Sequence, residues 1–241
     1  MSLPRPRVPR LRPPRLGSGW LGRPDRVTVL VLAVTLLALV MRLYDLGERA
    51  MHHDESLHAI YSWYYATGEG YLHDPLMHGP LQFHLIAGLF RLLDDTETVS
   101  RLPAALAGTA LVAAPLLLRR WLGGPAMVIA AALLTVSPSL LYFSRFARND
   151  LPIALWTLLI VAAVWRYRED GGWGWLLLLA TALALSFATK ETTYLTAAVL
   201  LLYLDVVLWI EIVKRRAGEG AGPLTGRRLA GAAPLLPVAW L

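Results

Sequence analysis

The 241-residue sequence contains no cysteine, and charged residues make up only 17% of it. Without cysteine there is no disulfide framework, no thiol nucleophile and no cysteine metal site. The sequence also lacks a Walker phosphate loop, a dinucleotide-binding glycine fingerprint and an internal repeat. ATP-driven transport by this chain itself is therefore not expected.

Apolar residues make up 56% of the sequence and are gathered into long blocks. A helix needs about 20 predominantly apolar residues to cross roughly 30 Å of hydrocarbon. Six blocks approach that length, at 27–41, 102–118, 125–143, 151–165, 173–189 and 194–213. The sequence therefore predicts an all-α polytopic membrane protein with about six transmembrane helices and the lipid bilayer as its surroundings.

The net charge of +6 could suggest nucleic acid as a partner, but the arginines lie in the loops between apolar blocks, which argues against it. Residues 1–26 hold seven arginines and six prolines. This composition predicts a disordered basic tail in front of the first transmembrane helix at 27–43.

The segment 81–93 decides the topology, because its thirteen residues are short for a crossing and include His84 and Arg91. If it lies at the interface, 16 Lys and Arg fall on the inner side and seven on the outer; if it crosses, the division is 12 and 11. The positive-inside rule favours the first arrangement. We therefore predict a multi-pass protein of the cell membrane with a cytoplasmic N-terminus. Residues 44–98 form an extracytoplasmic loop that contains interfacial helices, and 99–213 contain five further transmembrane helices. Residues 214–241 form a basic loop and the start of a seventh span.

This topology puts three groups of ionisable residues on one membrane face. They are the loop 44–98, the segment "SRFARND" at 144–150, and the dipeptide Lys190-Glu191. Charged residues from distant parts of a chain that converge on one surface indicate a functional site. The site is predicted on the extracytoplasmic face.

Asp54 and Glu55 are expected to begin a helix that runs to about Thr67. In one interpretation Asp54 is the N-cap, since acids favour the N-terminus of a helix. In the other, Asp54 is a general base that takes a proton from an acceptor hydroxyl, with His58 one turn later on the same face. The sequence allows both.

All six histidines lie between positions 52 and 84, together with several carboxylates. Such side chains could bind a divalent metal, Mn²⁺, Mg²⁺ or Zn²⁺. The candidate ligands are His53, His58, His73 and Asp74. No tight ligand spacing is present, and interfacial histidines bonded to lipid headgroups or backbone are the competing interpretation.

The segment "SRFARND" carries Arg145 and Arg148 close to Asp150, where the next apolar block begins. Asp150 could cap that helix while the arginines extend to the interface. Alternatively, two cations beside an acid could bind a phosphate. Lys190 is likewise either an interfacial lysine or a cation that neutralises a leaving phosphate.

Four separated motifs resemble a known family in their order and spacing: the Asp-Glu after the first span, "SRLPAALAGTALVAAPLLLRRWLG", "SPSLLYFSRFARND" and "LALSFATKETTYL". Together they resemble the N-terminal half of GT-C membrane glycosyltransferases of the protein-mannosyltransferase and aminoarabinose-transferase type. The segments "MHHDESLHA" and "YLHDPLMHGPLQFHL" resemble those of the flippase-activity-associated proteins, a branch found in archaeal-type N-glycosylation. The resemblance covers roughly residues 25–215 and implies a GT-C-like helical bundle.

The resemblance also implies an activity, the transfer of a sugar from a polyprenyl-phosphate donor on the extracytoplasmic face, with inversion at the anomeric carbon. It implies that Asp54, with Glu55 beside it, activates the acceptor. Asp150 matches the acid of the second outer loop in this family. A non-catalytic protein that binds polyprenyl-linked glycans, or assists their translocation, is the alternative.

Lys190 matches the lysine that follows the fifth span in relatives, where Lys-Gly is common and this chain has Glu191. His78 lies near the position of a first-loop lysine of aminoarabinose transferases and offers a cation whose charge depends on pH. With Arg145 and Arg148, these cations would stabilise the leaving phosphate.

Relatives of this type usually continue through several more spans. This sequence ends at "AAPLLPVAWL", which reads as the beginning of a seventh crossing. We therefore expect a C-terminal half, or partner glycosylation proteins, to complete the activity.

Overall fold

A computed structural model describes residues 25–72 and 77–216, and nine α-helices make up most of them. They are α1 (Arg26–Leu43), α2 (His53–Thr67), α3 (Leu81–Leu92), α4 (Glu97–Ala113), α5 (Arg119–Val136), α6 (Pro138–Ser144), α7 (Asp150–Asp170), α8 (Trp173–Phe187) and α9 (Thr193–Arg216). A short 3₁₀ helix at Ala114–Leu118 joins α4 to α5. The described ranges contain no β-strand, which confirms the predicted all-α class.

The chain reverses direction at Gly123, whose φ of +71° is a backbone conformation that other residues rarely adopt. Gly124 lies against Val27 at the start of α1, whereas Leu134 accepts a 3.2 Å hydrogen bond from Arg42 at the end of α1. The later part of α5 therefore runs in the same direction as α1. Apolar and small side chains of α1, α4 and α5 form the core between them, namely Val31, Ala38, Val112, Met127 and Ala131.

Four segments are long and apolar enough to cross a membrane: α1, the run Glu97–Val136, α7 and Thr193–Val213. The second of these contains the reversal at Gly123, so it supplies two passes through the bundle. The shorter α8 is also apolar. These segments establish a helical membrane protein, and helices lie where the six spans were predicted. The number of membrane crossings stays a prediction.

α3 contains 12 residues and is therefore about 18 Å long, at 1.5 Å per residue. That length is well short of the bilayer hydrocarbon. α3 packs against α2, the other short helix of this loop, and against α4. The structure therefore provides the pair of short helices that was predicted in the first long loop.

Ion pairs and turns show which parts of the chain share each end of the bundle. We call one end the tail end: Asp25 pairs there with Arg119, and Arg120 pairs with Glu169 at 3.2 Å and with Asp170 at 2.6 Å. We call the opposite end the loop end, which comprises residues 44–72, 77–101, 137–150 and 187–193. The described residues of the three groups that were predicted to converge lie at the loop end.

Candidate active site

The start of α2 is set by His52 rather than by Asp54. His52 is the N-cap, and its Nδ1 accepts a 3.3 Å hydrogen bond from the backbone amide of Asp54. Glu55 completes a capping box by accepting from the amide of His52 at 3.1 Å. The interpretation of Asp54 as the N-cap is therefore wrong, because the helix already begins at His53. The Asp54 carboxylate makes a different contact.

The four side chains of Asp54, Arg148, Asp150 and Lys190 form one continuous row of alternating charge. Arg148 Nη1 lies 3.0 Å from Asp54 Oδ2, and Arg148 Nε lies 3.8 Å from Asp150 Oδ2. Lys190 Nζ donates to Asp150 Oδ1 at 3.1 Å. All four side chains are partly exposed. We call this set the charged row; three separate segments contribute to it, namely α2, the turn before α7, and the turn between α8 and α9.

Asp150 does not cap α7, although the sequence allowed that role. The N-cap is Asn149, whose side chain makes no capping hydrogen bond, and Asp150 is the first helical residue. Pro152 lies in the first turn of α7, where its missing N–H leaves no hydrogen bond unmade. The Asp150 carboxylate is thus directed to Lys190 and Arg148.

Glu55 is completely buried, and both of its oxygens accept several hydrogen bonds. Oε1 accepts from Arg101 Nε and from the amide of Ala147, both at 2.9 Å. Oε2 accepts from Arg49 at 2.8 Å, from the His52 amide at 3.1 Å and from Arg101 Nη2 at 3.3 Å. Burial by itself raises the pKa of this carboxyl, but the hydrogen bonds from Arg101 and the two amides outweigh burial and hold the pKa below its ordinary value.

Arg101, which was not predicted as a site residue, is the partner that fixes Glu55. It is fully buried at the start of α4 and also donates to the backbone oxygens of Leu46 at 2.8 Å and Arg49 at 2.9 Å. An arginine beside an apolar block is the only signal of this role in the sequence. Glu55 therefore joins α2, α4 and the turn before α7, a placement that favours an anchoring role over the predicted catalytic one.

The four cations predicted to bind phosphate are not all together. Arg148 and Lys190 belong to the charged row, but Arg145 lies elsewhere: it donates to the backbone oxygens of Met41 at 3.1 Å and Asp45 at 2.8 Å, at the end of α1. The chain from 145 to 149 is a turn and not a helix, so residues three apart there do not share a face.

His78 is placed beside the row through its hydrogen bond to Glu191, at 2.9 Å from Nδ1 to Oε2. Backbone contact holds this region, since the Gly79 amide donates to Thr189 O at 3.1 Å. A Cβ on Gly79 would lie 2.2 Å from the backbone oxygen of Ala188, so only glycine fits. Burial raises the pKa of Glu191, but hydrogen bonds, including that of His78, outweigh it and keep the pKa below its ordinary value.

His58 lies directly behind the charged row. Its Nδ1 donates to the backbone oxygen of Asp54 at 2.8 Å, and its ring stacks on Phe83 with centroids 5.1 Å apart. Burial lowers the pKa of His58, and the charge of Arg148 lowers it further against the opposing hydrogen bond to Asp54. The ring is therefore neutral at pH 7, with its buried Nε2 lacking a hydrogen-bond partner.

The metal prediction rested on His53, His58, His73 and Asp74. His53 is exposed and His58 is stacked and buried, while His73 and Asp74 lie outside the described residues. Within 25–72 and 77–216, no group of three His, Asp or Glu side chains is arranged to hold a metal ion. The metal site therefore stays a prediction that depends on two residues without a described position.

A bundle of apolar helices with a charged row at one end is the architecture of a helical membrane protein of the GT-C kind. The chain belongs to the dolichyl-phosphate-mannose-protein mannosyltransferase family, whose model matches residues 77–217. No curated protein and no solved structure matches the chain significantly. Membership confirms the GT-C superfamily and a membrane glycosyltransferase of that kind, while the flippase-associated branch stays a prediction.

Proposed function

We propose that this protein transfers a sugar from a polyprenyl-phosphate donor to an acceptor hydroxyl, and that the charged row is where the transfer takes place. The observation that carries the proposal is the row itself, in which two carboxylates alternate with two cations within 3.0, 3.8 and 3.1 Å. Such a row offers a base for the acceptor and cations for a phosphate in one place. Family membership supports the lipid-linked donor.

In the proposed reaction, the Asp54 carboxylate takes the proton of the acceptor hydroxyl as the acceptor oxygen bonds to the anomeric carbon. The bond between that carbon and the phosphate oxygen breaks on the opposite face, and its electron pair leaves with the phosphate. Configuration is therefore inverted. Arg148 and Lys190 stabilise the negative charge that develops on the leaving phosphate.

The same cations explain how donor binding could prepare the base. Arg148 and Lys190 now contact Asp54 and Asp150, and a donor phosphate would compete with these carboxylates for the same N–H groups. A carboxylate that loses a cation partner is a stronger base. Donor binding at the row would thus release the Asp54 carboxylate from Arg148 only when a sugar is ready for transfer.

The neighbouring residues have supporting roles in this proposal. Glu55 holds the start of α2 in place and does not react. His78 positions the turn that carries Lys190 through its hydrogen bond to Glu191. We further propose that the loop end faces the extracytoplasmic side, on the grounds that 16 of the 23 Lys and Arg then lie on the cytoplasmic side.

Replacement of the base tests the proposal. Asp54→Asn in the full chain, in membranes supplied with radiolabelled polyprenyl-phosphate mannose, is expected to reduce sugar transfer by at least about a hundredfold, because a general base contributes about 10²–10⁴. Asp94→Asn, which removes an exposed acid from the same loop, is the matched control and should transfer normally.

Donor binding is measured in parallel, because the alternative function would require binding without transfer. Retained binding by Asp54→Asn with lost transfer supports the enzyme. Transfer at the native rate by Asp54→Asn would defeat it. Donor binding by the native chain with no transfer to any acceptor would favour the non-catalytic protein that binds or moves polyprenyl-linked glycans.

A further inference from the structure

The turn between α8 and α9 carries Lys190, and buried groups of the two adjoining helices hold both backbone groups of this lysine. The Lys190 amide donates to the backbone oxygen of Ser186 at 3.1 Å, and the Lys190 oxygen accepts from Thr193 Oγ1 at 2.8 Å. The Ser186 and Thr193 hydroxyls lie 2.8 Å apart, and both residues are fully buried. Because a hydroxyl has one hydrogen and Thr193 gives its own to Lys190, Ser186 is the donor in this pair. The three residues therefore form a closed ring of hydrogen bonds.

Thr189, the residue before Lys190, connects the same turn to two other parts of the bundle. Its Oγ1 accepts a 3.1 Å hydrogen bond from Trp156 Nε1 of α7 and donates to the backbone oxygen of Leu185. Its backbone oxygen accepts from the Gly79 amide at 3.1 Å, just before α3. Thr189 is only 1% exposed, and a buried hydrogen bond is costly to break because the groups left behind find no water. The turn is therefore fixed from α7 and from the start of α3.

The ammonium group of Lys190 is held less firmly than its backbone. Nζ lies 3.1 Å from Asp150 Oδ1, and the carboxylate side of this ion pair is one-third exposed. Partly exposed ion pairs contribute little to stability, so the ammonium can exchange Asp150 for another anion at small cost. Trp156 lies about 9 Å beyond Asp150 along α7, at 1.5 Å per residue. α7 thus holds the turn through the indole whether or not the ion pair is made.

We infer that Trp156 and Thr193 are positioning residues for Lys190, which keep its ammonium at the charged row after a phosphate has displaced it from Asp150. The inference rests on the proposed function, in which Lys190 stabilises the leaving phosphate. Neither residue touches the substrate; both act through the backbone of the turn. A displacement of about 1 Å can cost an enzyme about a hundredfold in rate, so a turn fixed by buried hydrogen bonds contributes directly to transfer.

The first test measures transfer kinetics of the full chain in membranes supplied with polyprenyl-phosphate mannose. Trp156→Phe keeps an aromatic ring but removes the N–H that Thr189 accepts. It is expected to lower kcat by about tenfold with KM close to the native value, because positioning of Lys190 matters mainly in the transition state. Trp165→Phe is the matched control, since Trp165 lies on the same helix further toward the tail end, with its ring 5.5 Å from that of Trp121. The control should transfer normally.

A double-mutant cycle separates positioning from a merely structural role. If Trp156 acts through Lys190, adding Trp156→Phe to Lys190→Gln should change kcat by less than about twofold. The same tenfold loss in both backgrounds would overturn the inference. If Trp156→Phe does not fold, Thr193→Val and Thr193→Ser replace it: the first removes the hydroxyl that binds the Lys190 oxygen, and the second restores it. A lower kcat for Thr193→Val alone supports the inference, and equal kcat values for the two variants contradict it.

A second measurement needs no sugar transfer and therefore distinguishes failure of this inference from failure of the proposed function. The chain contains two lysines, Lys190 and Lys214, so trace acylation of the folded protein followed by peptide mass spectrometry gives their relative reactivity. Trp156→Phe should raise the labelling of Lys190 relative to Lys214, whereas Trp165→Phe should leave the ratio unchanged. If the native chain transfers no sugar, the proposed function fails and the ratio alone decides: an increase in Trp156→Phe supports the positioning role, and an unchanged ratio overturns it.

Discussion

The tail end and the loop end of the bundle carry the same kinds of charged side chain but use them differently. At the tail end, Arg120 pairs with Glu169 and Asp170 through side chains that are a third to a half exposed. At the loop end, Glu55 and Arg101 are fully buried against each other. Exposed pairs contribute little because water and salt screen them, whereas a buried charge that loses its partner is strongly destabilising.

That difference indicates that the side chains of the loop end are held in fixed positions, whereas those of the tail end are not. The buried Glu55 connects the segments that carry Asp54 and Arg148, so the half-exposed charged row rests on a rigid base. No comparable layer of buried charge lies behind the described ion pairs of the tail end. Reactive groups that rest on a satisfied buried network are typical of functional sites.

The largest expected effect is that of removing the buried anchor. Glu55→Gln leaves Arg49 without a counter-charge and Arg101 with only its looser 3.9 Å contact to Glu97, and it should lower the free energy of unfolding by about 3–5 kcal/mol. Asp170→Asn removes a carboxylate from the tail end and should change stability too little to resolve. Denaturant unfolding in detergent measures both. Equal losses for the two variants would remove the distinction between the two ends.

The positions of the helices could be predicted from the sequence, because membrane helices are long apolar blocks with charged ends. The distribution of Lys and Arg predicted that the three segments carrying Asp54, Arg148 and Lys190 lie on one face. It did not predict which of their side chains meet. The chemical roles of these residues remain predictions.

The buried layer could not be predicted in the same way. Glu55 and Arg101 are 46 residues apart, and nothing in a single sequence couples them. Arg145 and Arg148 look equivalent in "SRFARND", but the non-helical turn sends one to the end of α1 and the other to Asp54. His52 was not expected as an N-cap because serine, threonine, asparagine and aspartate normally take that position.

The second effect concerns charge at the site rather than stability. Lys190→Gln should lower kcat by about a hundredfold with a smaller change in KM, because a cation on the leaving phosphate acts mainly in the transition state. Arg120→Gln also removes one positive charge, but at the tail end, and should leave transfer unchanged. Lys190→Arg should restore part of the rate. Equal kinetics for Lys190→Gln and the native chain would take Lys190 out of the mechanism.

A smaller effect follows from the contact between the first long loop and the turn after α8. Gly79→Ala would put a Cβ 2.2 Å from the backbone oxygen of Ala188, and relief of this clash should cost about 1–3 kcal/mol of unfolding free energy. Gly88→Ala in α3 has nothing within 4 Å of the added Cβ and should be neutral or stabilising. Loss of stability in Gly88→Ala but not in Gly79→Ala would contradict this packing.

The smallest and most specific effect is a dependence of stability on pH. The pKa of Glu55 in the folded protein lies below its ordinary value of 4.5. The unfolded chain therefore binds the proton more readily, and the stability that Glu55 contributes is fully present above about pH 4.5 and is lost as pH falls through the folded pKa. Unfolding of the native chain measured between about pH 6 and 3 should show this loss, and Glu55→Gln should lack that part of the slope. Asp170→Asn should keep the part of the slope that Glu55 supplies, because Asp170 lies at the opposite end of the bundle. An unchanged slope in Glu55→Gln would instead assign the acid sensitivity to the other carboxylates whose pKa is lowered, namely Asp25 at the tail end and Glu191.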